Sequence, residues 1–437
     1  MLLGFKVANF RSLRDLQELS LYRATRLSDQ DPRWRRKDVS TVAAIYGANA
    51  SGKSTVVDAL AYLRGAVRDS YRDWPVEGGT ARECFLLEDE APDRPSQFEI
   101  EFVAGDGVTY QYGFEVDDRR VVTEHLYAYR TSRRTLVFDR SRQGSWRFGP
   151  SFRGPAQQIQ KTTRDNALFL SVAAASGNET TRAAYVWITD QMRHYHASGY
   201  RQEHRRVMSR LSEDDNYARV LRLLVCRADL GVSDIRVVEQ RLSEAERSEV
   251  ERLVGAIADG DEAARMLTRV LDEREHTLQL AHLAGSRTVD LPFNRESDGT
   301  HALISFASLA ADALGAGLTC VVDEIDASLH PLLVRELVRV FQNPLINPLQ
   351  AQLIFTTHDV SLLDQSDPKA AVDRDQMWIV DKDAAGASSL IGVSEFGLPR
   401  QGMNLGRGYL TGRFGGVPQT SIVDELLARA AEELAPT

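Results

Sequence analysis

The nine residues Gly47-Ala48-Asn49-Ala50-Ser51-Gly52-Lys53-Ser54-Thr55 constrain this chain more than any other stretch. They follow the apolar run Thr41 to Tyr46 and precede Val56 to Leu63, which is apolar at helical spacing. The order is strand, glycine loop, helix, the context in which G-x-x-x-x-G-K-[ST] holds phosphate. Glycine lets successive backbone N–H groups curl towards one anion, and the start of a helix adds its positive end. Lys53 is placed to reach β- and γ-phosphates, and the Ser54 hydroxyl to hold Mg²⁺. ATP and Mg²⁺ are therefore the expected ligands. A plain glycine turn would also join a strand to a helix, but the flanking elements favour the phosphate loop.

Farther along, Leu318-Thr319-Cys320-Val321-Val322-Asp323-Glu324 is a short apolar strand ending in two acids. Carboxylates at the mouth of such a strand are costly unless they face a cation or bound water. With a phosphate loop in the same chain, Asp323 is expected to support Mg²⁺ and Glu324 to orient or deprotonate an attacking water. Gln352 to Asp359 is another strand with a polar end, where His358 is expected to sense a γ-phosphate. In Glu296-Ser297-Asp298-Gly299-Thr300, Ser297 can cap the helix that follows and Gly299 permits close approach. A capped, positively polarised helix start is a second anion site. Arg11, in the turn Asn9-Phe10-Arg11-Ser12, is a further candidate for nucleotide phosphate.

At 437 residues the chain exceeds one simple domain. A net charge of −9 excludes a bulk cationic footprint for nucleic acid, so any DNA contact must be local. Cys84, Cys226 and Cys320 match no metal spacing. Met1 to Lys6 has no signal-peptide pattern, and the apolar tract from Ala302 to Val322 is broken by Asp312 and Gly315. A cytoplasmic location without membrane contact is the expectation. Alternating runs from Phe98 to Phe148 predict an antiparallel meander. Residues 155–285 read as mainly helical, too short in heptads for a long coiled coil, with Arg219 to Leu224 buried and a capping box from Ser243 to Glu246. The basic loop Asp31 to Lys37 and the cluster Arg201, Arg205, Arg206 and Arg210 read as solvated faces, with nucleic acid or a partner as the sharper alternative. Thr277 to His282 is expected to return the chain to the main sheet.

The ordered set Asn9 to Ser12, Gly47 to Thr55, Glu296 to Thr300, Asp323-Glu324 with Ser328-Leu329-His330-Pro331, and Thr356 to Asp359 resembles ABC-type ATPases of the SMC and RecF group. It is more similar to bacterial AAA-15/AAA-21 ATPases of defence and abortive-infection systems, RloA-like proteins and the ATPase half of OLD nucleases. The match covers residues 1–60 and 290–400 well. Tyr409 to Pro418 also resembles the tail of RloA-like proteins, with no role legible in its residues. The resemblance implies an α/β fold: a P-loop NTPase ABC-type head with an antiparallel β subdomain and an inserted helical lobe. The expected divisions are residues 1–83, 84–150, 151–285, 286–400 and a tail, 401–437. Two heads would sandwich ATP between one phosphate loop and the partner's Ser297, Gly299 and Thr300, and Arg11 would reach the nucleotide. A homodimer or higher homo-oligomer is thus implied. The signature departs from the transporter form, being Ser-Asp-Gly-Thr, and Gln97 is only a candidate for the glutamine that follows the first helix. About 80 residues follow His358, fewer than a separate catalytic domain needs. The expectation is an ATPase of anti-phage defence whose opening controls a separately encoded effector, a nuclease or toxin. A RecF- or SMC-like DNA clamp and a scaffold with negligible hydrolysis are the competing readings, with DNA a further candidate partner.

Overall fold

A computed structural model describes residues 1–23, 38–131, 133–196, 200–228, 231–239, 244–258, 260–364, 371–396 and 404–418. The basic loop 31–37, Ser243 and the side chains of Arg201 and Arg205 lie outside the described residues. The chain divides into two units. The first comprises residues 2–189 and 356–437, and the second comprises residue 1 with 190–355.

The first unit opens with β1 (Leu2–Ala8), β2 (Gln17–Ser20), β3 (Val42–Tyr46) and α1 (Lys53–Asp69). There follow β4 (Ser96–Val103), β5 (Thr109–Val116), β6 (Val121–Tyr129), β7 (Thr135–Arg140) and β8 (Trp146–Phe148). The expected meander is present, and β1 and β2 extend it to seven antiparallel strands in the order β2-β1-β4-β5-β6-β7-β8. Period-two alternation sends Phe98, Ile100 and Phe102 of β4 to one face. There Phe98 stacks on Tyr62 of α1 at 4.8 Å and on Phe114 at 5.2 Å. The sheet therefore seats the helix that follows the glycine loop. Three short helices, α2 (Ala156–Thr162), α3 (Phe169–Ala175) and α4 (Glu179–Val186), continue the unit. The start of α3 is held by a carboxylate: buried Glu124 accepts the Phe169 and Leu170 N–H groups and the Tyr112 hydroxyl.

The second unit contains β9 (Met192–His196), α5 (Tyr200–Glu213), α6 (Asp215–Cys226), β10 (Val232–Glu239), α7 (Glu244–Gly255) and α8 (Gly260–Glu275). Next come β11 (His276–Ala284), β12 (Arg287–Pro292), α9 (Asp298–Ala316), β13 (Thr319–Asp323), α10 (Pro331–Gln342) and β14 (Gln352–Thr356). Two expectations are corrected here. The strand over 277–282 does not rejoin a main sheet. It is the centre of a separate antiparallel sheet, β10-β11-β12, flanked by β10, which precedes α7 and α8, and by β12, its hairpin partner. The run from Arg219 to Leu224 is amphipathic: Leu221 is buried and Leu223 is 58% exposed. Parallel pairing joins β13 to β14 and to β9. Helix α9 is buried on nearly every side, as its apolar composition requires, and ends at Gly317 in the left-handed conformation.

The chain then completes the first unit with β15 (Met377–Lys382), parallel to β3, and β16 (Ser388–Gly392), antiparallel to β15. A short helix, α11 (Leu405–Leu410), follows. No helix among the described residues is long and apolar enough to cross a membrane.

Candidate nucleotide site

Five consecutive buried residues make β3, which ends at Tyr46 and delivers Gly47 against the backbone of β15. A Cβ on Gly47 would lie 2.4 Å from Val380 O and 2.5 Å from Ser51 Oγ, so only glycine fits. Ala50 adopts φ +60° and Gly52 φ +107°, which turns the chain back into α1. That helix starts with no side-chain cap and no acid in its first turn. Its leading N–H groups and its positive end are left to an anion. Lys53, buried, donates from Nζ to Gly47 O and Ala48 O at 3.0 Å each, spanning the loop from within. Ser51 Oγ is buried and has no hydrogen-bond partner. An orphaned hydroxyl costs about 1–3 kcal/mol unless something satisfies it. A phosphate oxygen would do so, and ATP fits this loop on that ground. Ser54, half-buried beside Lys53, is the hydroxyl of this loop suited to Mg²⁺.

Two hydroxyls outside the motif brace the loop. Ser388 Oγ lies 2.6 Å from Ser51 O and 2.9 Å from Ser12 Oγ, and Ser12 Oγ lies 3.2 Å from Thr55 Oγ1. The Ser388 N–H donates to Ser12 O. No pattern in the sequence marks Ser388. Ser12 was visible only as the end of the Asn9-to-Ser12 turn.

Arg11 sits in that turn at φ +48°, with its guanidinium held inside the unit. It makes a two-pronged pair with Glu83, at 2.7 and 3.0 Å, and a third contact with Asp58 of α1. The Arg11 guanidinium keeps the Glu83 carboxyl below the usual carboxylate range. Gln97 lies in β4, opposite Ala8 and Glu115. His358 is exposed just past β14, on a segment tied to β3: the Thr357 N–H donates to Ile45 O at 3.1 Å, and Tyr46 Oη donates to Asp359 O at 3.0 Å. The first unit thus gathers the phosphate loop, Arg11 and His358.

The acidic pair and the signature lie in the second unit. Asp323 closes the buried strand β13 at 7% exposure. Glu324 is exposed and adopts φ +52°. A glutamate held left-handed is strained by about 1–3 kcal/mol, which the surroundings must sustain. Ser297 caps α9 by accepting the Thr300 N–H at 3.1 Å, and its hydroxyl also meets Thr300 Oγ1 at 2.9 Å. A Cβ on Gly299 would stand 3.2 Å from Ser328 O, so the glycine lets the helix start crowd the loop 325–330. Two histidines hold this segment: His282 Nε2 is 2.8 Å from Glu296 Oε1, and His301 Nε2 is 2.6 Å from Phe293 O. His330 caps α10 through Nδ1. Arg206 and Arg210, read from sequence as a solvated face, are instead turned onto Asp312 of α9, which is 6% exposed. A buried acid needs such partners.

A parallel strand, a glycine loop turned back through left-handed residues, an internal lysine and an uncapped helix start define a P-loop nucleotide-binding protein of the α/β class. Residues 42–364 match the model of the family described as AAA domain, putative AbiEii toxin, Type IV TA system. The chain belongs to this family of ATPase-type NTPases.

None of the curated proteins matches. Among solved structures, the SMC head bound to the C-winged helix domain of ScpA is 14% identical at a TM-score of 0.46, covering 89% of this chain and 96% of that one. The SMC head domain from Thermotoga maritima is 13% identical at 0.40, covering 90% and 98%. The recombination mediator RecF bound to ATPrS is 12% identical at 0.33, covering 90% and 98%.

Proposed function

We propose that the protein hydrolyses ATP, that two copies clasp the nucleotide between them, and that their opening controls a separately encoded nuclease or toxin in anti-phage defence. The observation that carries the nucleotide reading is the loop itself, where buried Ser51 Oγ lacks a partner and α1 starts uncapped. The defence reading rests on the description of the family, which names a putative AbiEii toxin and a Type IV toxin–antitoxin system.

When bound, Mg²⁺ supplies charge neutralisation to the phosphates. Ser54 and Asp323 are the residues to hold it. Lys53 exchanges its loop carbonyls for phosphate oxygens, and the α1 amides orient them. Glu324 positions the attacking water and accepts its proton, while His358 hydrogen-bonds the terminal phosphate. Ser297, Gly299 and Thr300, on a polarised helix start, clasp the phosphates bound by a second copy, and Arg11, beside the phosphate loop's own helix, reaches the nucleotide by releasing Glu83.

Lys53→Ala and Glu324→Gln test this reading. Lys53→Ala should abolish ATP binding in a titration with a fluorescent ATP analogue. Glu324→Gln should keep binding, lower turnover by about 10²–10⁴-fold, the usual worth of a general base, and accumulate an ATP-dependent dimer on a sizing column. A Glu324→Gln protein that stays monomeric with ATP and turns over normally would overturn the assignment.

A further inference from the structure

The segment from Asn404 to Pro418 carries two aromatics and five glycines, and the nucleotide site as described makes no use of it. Its placement is specific. Asn404 caps α11 and donates from Nδ2 to Asp364 Oδ1 at 3.0 Å. Gly406 packs so closely on Val360 that a Cβ would lie 3.0 Å from its Cγ1. Val360 is two residues past His358. Tyr409, 5% exposed, sets its ring edge-on against Tyr46 at 5.5 Å, and Tyr46 is the last residue before the phosphate loop. The Tyr409 hydroxyl donates to Gly416 O at 3.0 Å. Burial raises the Tyr409 pKa, and a backbone hydrogen bond from Gly47 draws it partly back.

The chain then returns. Gly415 and Gly416 adopt φ +75° and +66°, where a side chain is strained. A Cβ on Gly416 would stand 2.6 Å from Ile379 Cγ2, 3.2 Å from Val380 O and 3.4 Å from Gly47 Cα. Val380 O is also one of the two atoms that exclude a side chain on Gly47 itself. The first peptide of the phosphate loop is therefore enclosed by β15 and by the tail, with Tyr409 joining the two.

We infer that residues 404–418 form a strap that positions the phosphate loop, with Tyr409 and Gly416 setting the orientation of the Gly47 peptide and Tyr46 linking that peptide to the His358 segment. The inference rests on the nucleotide reading above and adds to it positioning residues distant in sequence from every phosphate-binding motif. A loop whose amides must converge on one anion binds weakly when its first peptide is free to rotate, because the ordering entropy is then lost on binding. The strap removes that freedom beforehand. Through Tyr46 Oη, which holds Asp359 O, the same tyrosine pair fixes the spacing between the loop and His358.

The test uses the full chain, with a fluorescent ATP analogue and steady-state ATPase assays. Tyr409→Phe keeps the ring and removes the hydroxyl, so it should fold, with the melting temperature of the nucleotide-free protein lowered by no more than about 4 °C. Its Kd and KM for ATP should rise about tenfold, the scale of one or two neutral hydrogen bonds, with kcat within about twofold. Gly416→Ala, which adds strain and overlap, should raise both further. Lys53→Ala is the control. If Lys53→Ala loses ATP while Tyr409→Phe and Gly416→Ala bind it as the unaltered protein does, the strap is overturned and the nucleotide reading stands. A lowered melting temperature with unchanged Kd and KM also overturns it, since a merely structural contact would give that result. If Lys53→Ala binds ATP normally, the nucleotide reading fails and the strap with it.

Discussion

Gly52→Ala is the perturbation whose size can be worked most fully from the geometry. Gly52 holds φ +107°, a backbone region that side chains avoid, and the methyl would meet Ser388 Oγ at 2.4 Å and Ser12 Oγ at 2.7 Å. Neither hydroxyl is free to leave. Ser388 Oγ is engaged with Ser51 O, and Ser12 Oγ with Thr55 Oγ1. The backbone term is about 1–3 kcal/mol, and overpacking adds about 1–3 kcal/mol, for a total of about 2–6 kcal/mol. The loop can relieve this only by abandoning the curl that aims its amides. Taken from binding at about 1.4 kcal/mol per factor of ten, the smallest total already weakens ATP about thirtyfold. The assay pairs a binding titration with urea unfolding of the same preparation, because the loss divides between affinity and stability. A double-mutant cycle with Ser388→Gly separates the two causes. That substitution removes the Ser388 part of the overlap and leaves the backbone strain and the Ser12 contact, so the cycle should show a favourable coupling of at most about 1–3 kcal/mol. The reasoning is refuted if Gly52→Ala binds ATP within about twofold of the unaltered protein and unfolds at the same urea concentration. It is refuted in its steric half if the cycle is additive.

Two further outcomes are expected. Asp312→Ala takes the buried carboxylate away from Arg206 and Arg210, each about a third exposed, and leaves Arg206 the Tyr195 hydroxyl and Arg210 the Asp214 carboxylate. Removing one partner from a buried ionic cluster costs about 3–5 kcal/mol, and the partial exposure of the arginines places this case near the lower end. Chemical unfolding followed through the second unit checks it, and a loss below about 1 kcal/mol contradicts the role given to that acid. Glu124, wholly buried, has its carboxyl pushed above the ordinary value of 4.5 by burial, against the pull of the Leu170 and Phe169 amides, Arg140 and Tyr112. The folded chain then holds a proton at pH values where the unfolded chain has released it. The stability Glu124 contributes is full below pH 4.5 and is lost as pH rises through its folded value. Glu124→Gln removes this dependence. The stability of the variant relative to the unaltered protein should therefore climb with pH over that interval in unfolding curves, and a difference that does not vary with pH contradicts it.

Local chemistry was legible in the sequence wherever a short stretch carried its own reason. The phosphate loop, the apolar strand before Asp323, the Ser297 cap and the meander from Phe98 to Phe148 each depend on spacing within a few residues. They appear at those positions because strand and helix periodicity and capping are near-neighbour effects. What the chain did with distant residues was not legible. The strand over 277–282 pairs with β10, across two intervening helices, and with its hairpin partner β12, and the first of these pairings joins residues some forty positions apart. Arg206 and Arg210 read as solvent-facing until Asp312 was placed opposite them. Arg11 carries no mark in the sequence of its pairing with Glu83 and Asp58.

The motif alone pointed to an anion site and to its place in the chain, since the amides, the lysine and the glycines it needs are consecutive. Only the tertiary structure decided what holds that loop still. Ser12, Ser388, Tyr409 and Gly416 lie tens to hundreds of residues from it and are ordinary in composition. Their effect comes from distances across the fold, and a hydroxyl or a missing Cβ acquires meaning only once its neighbour through space is known.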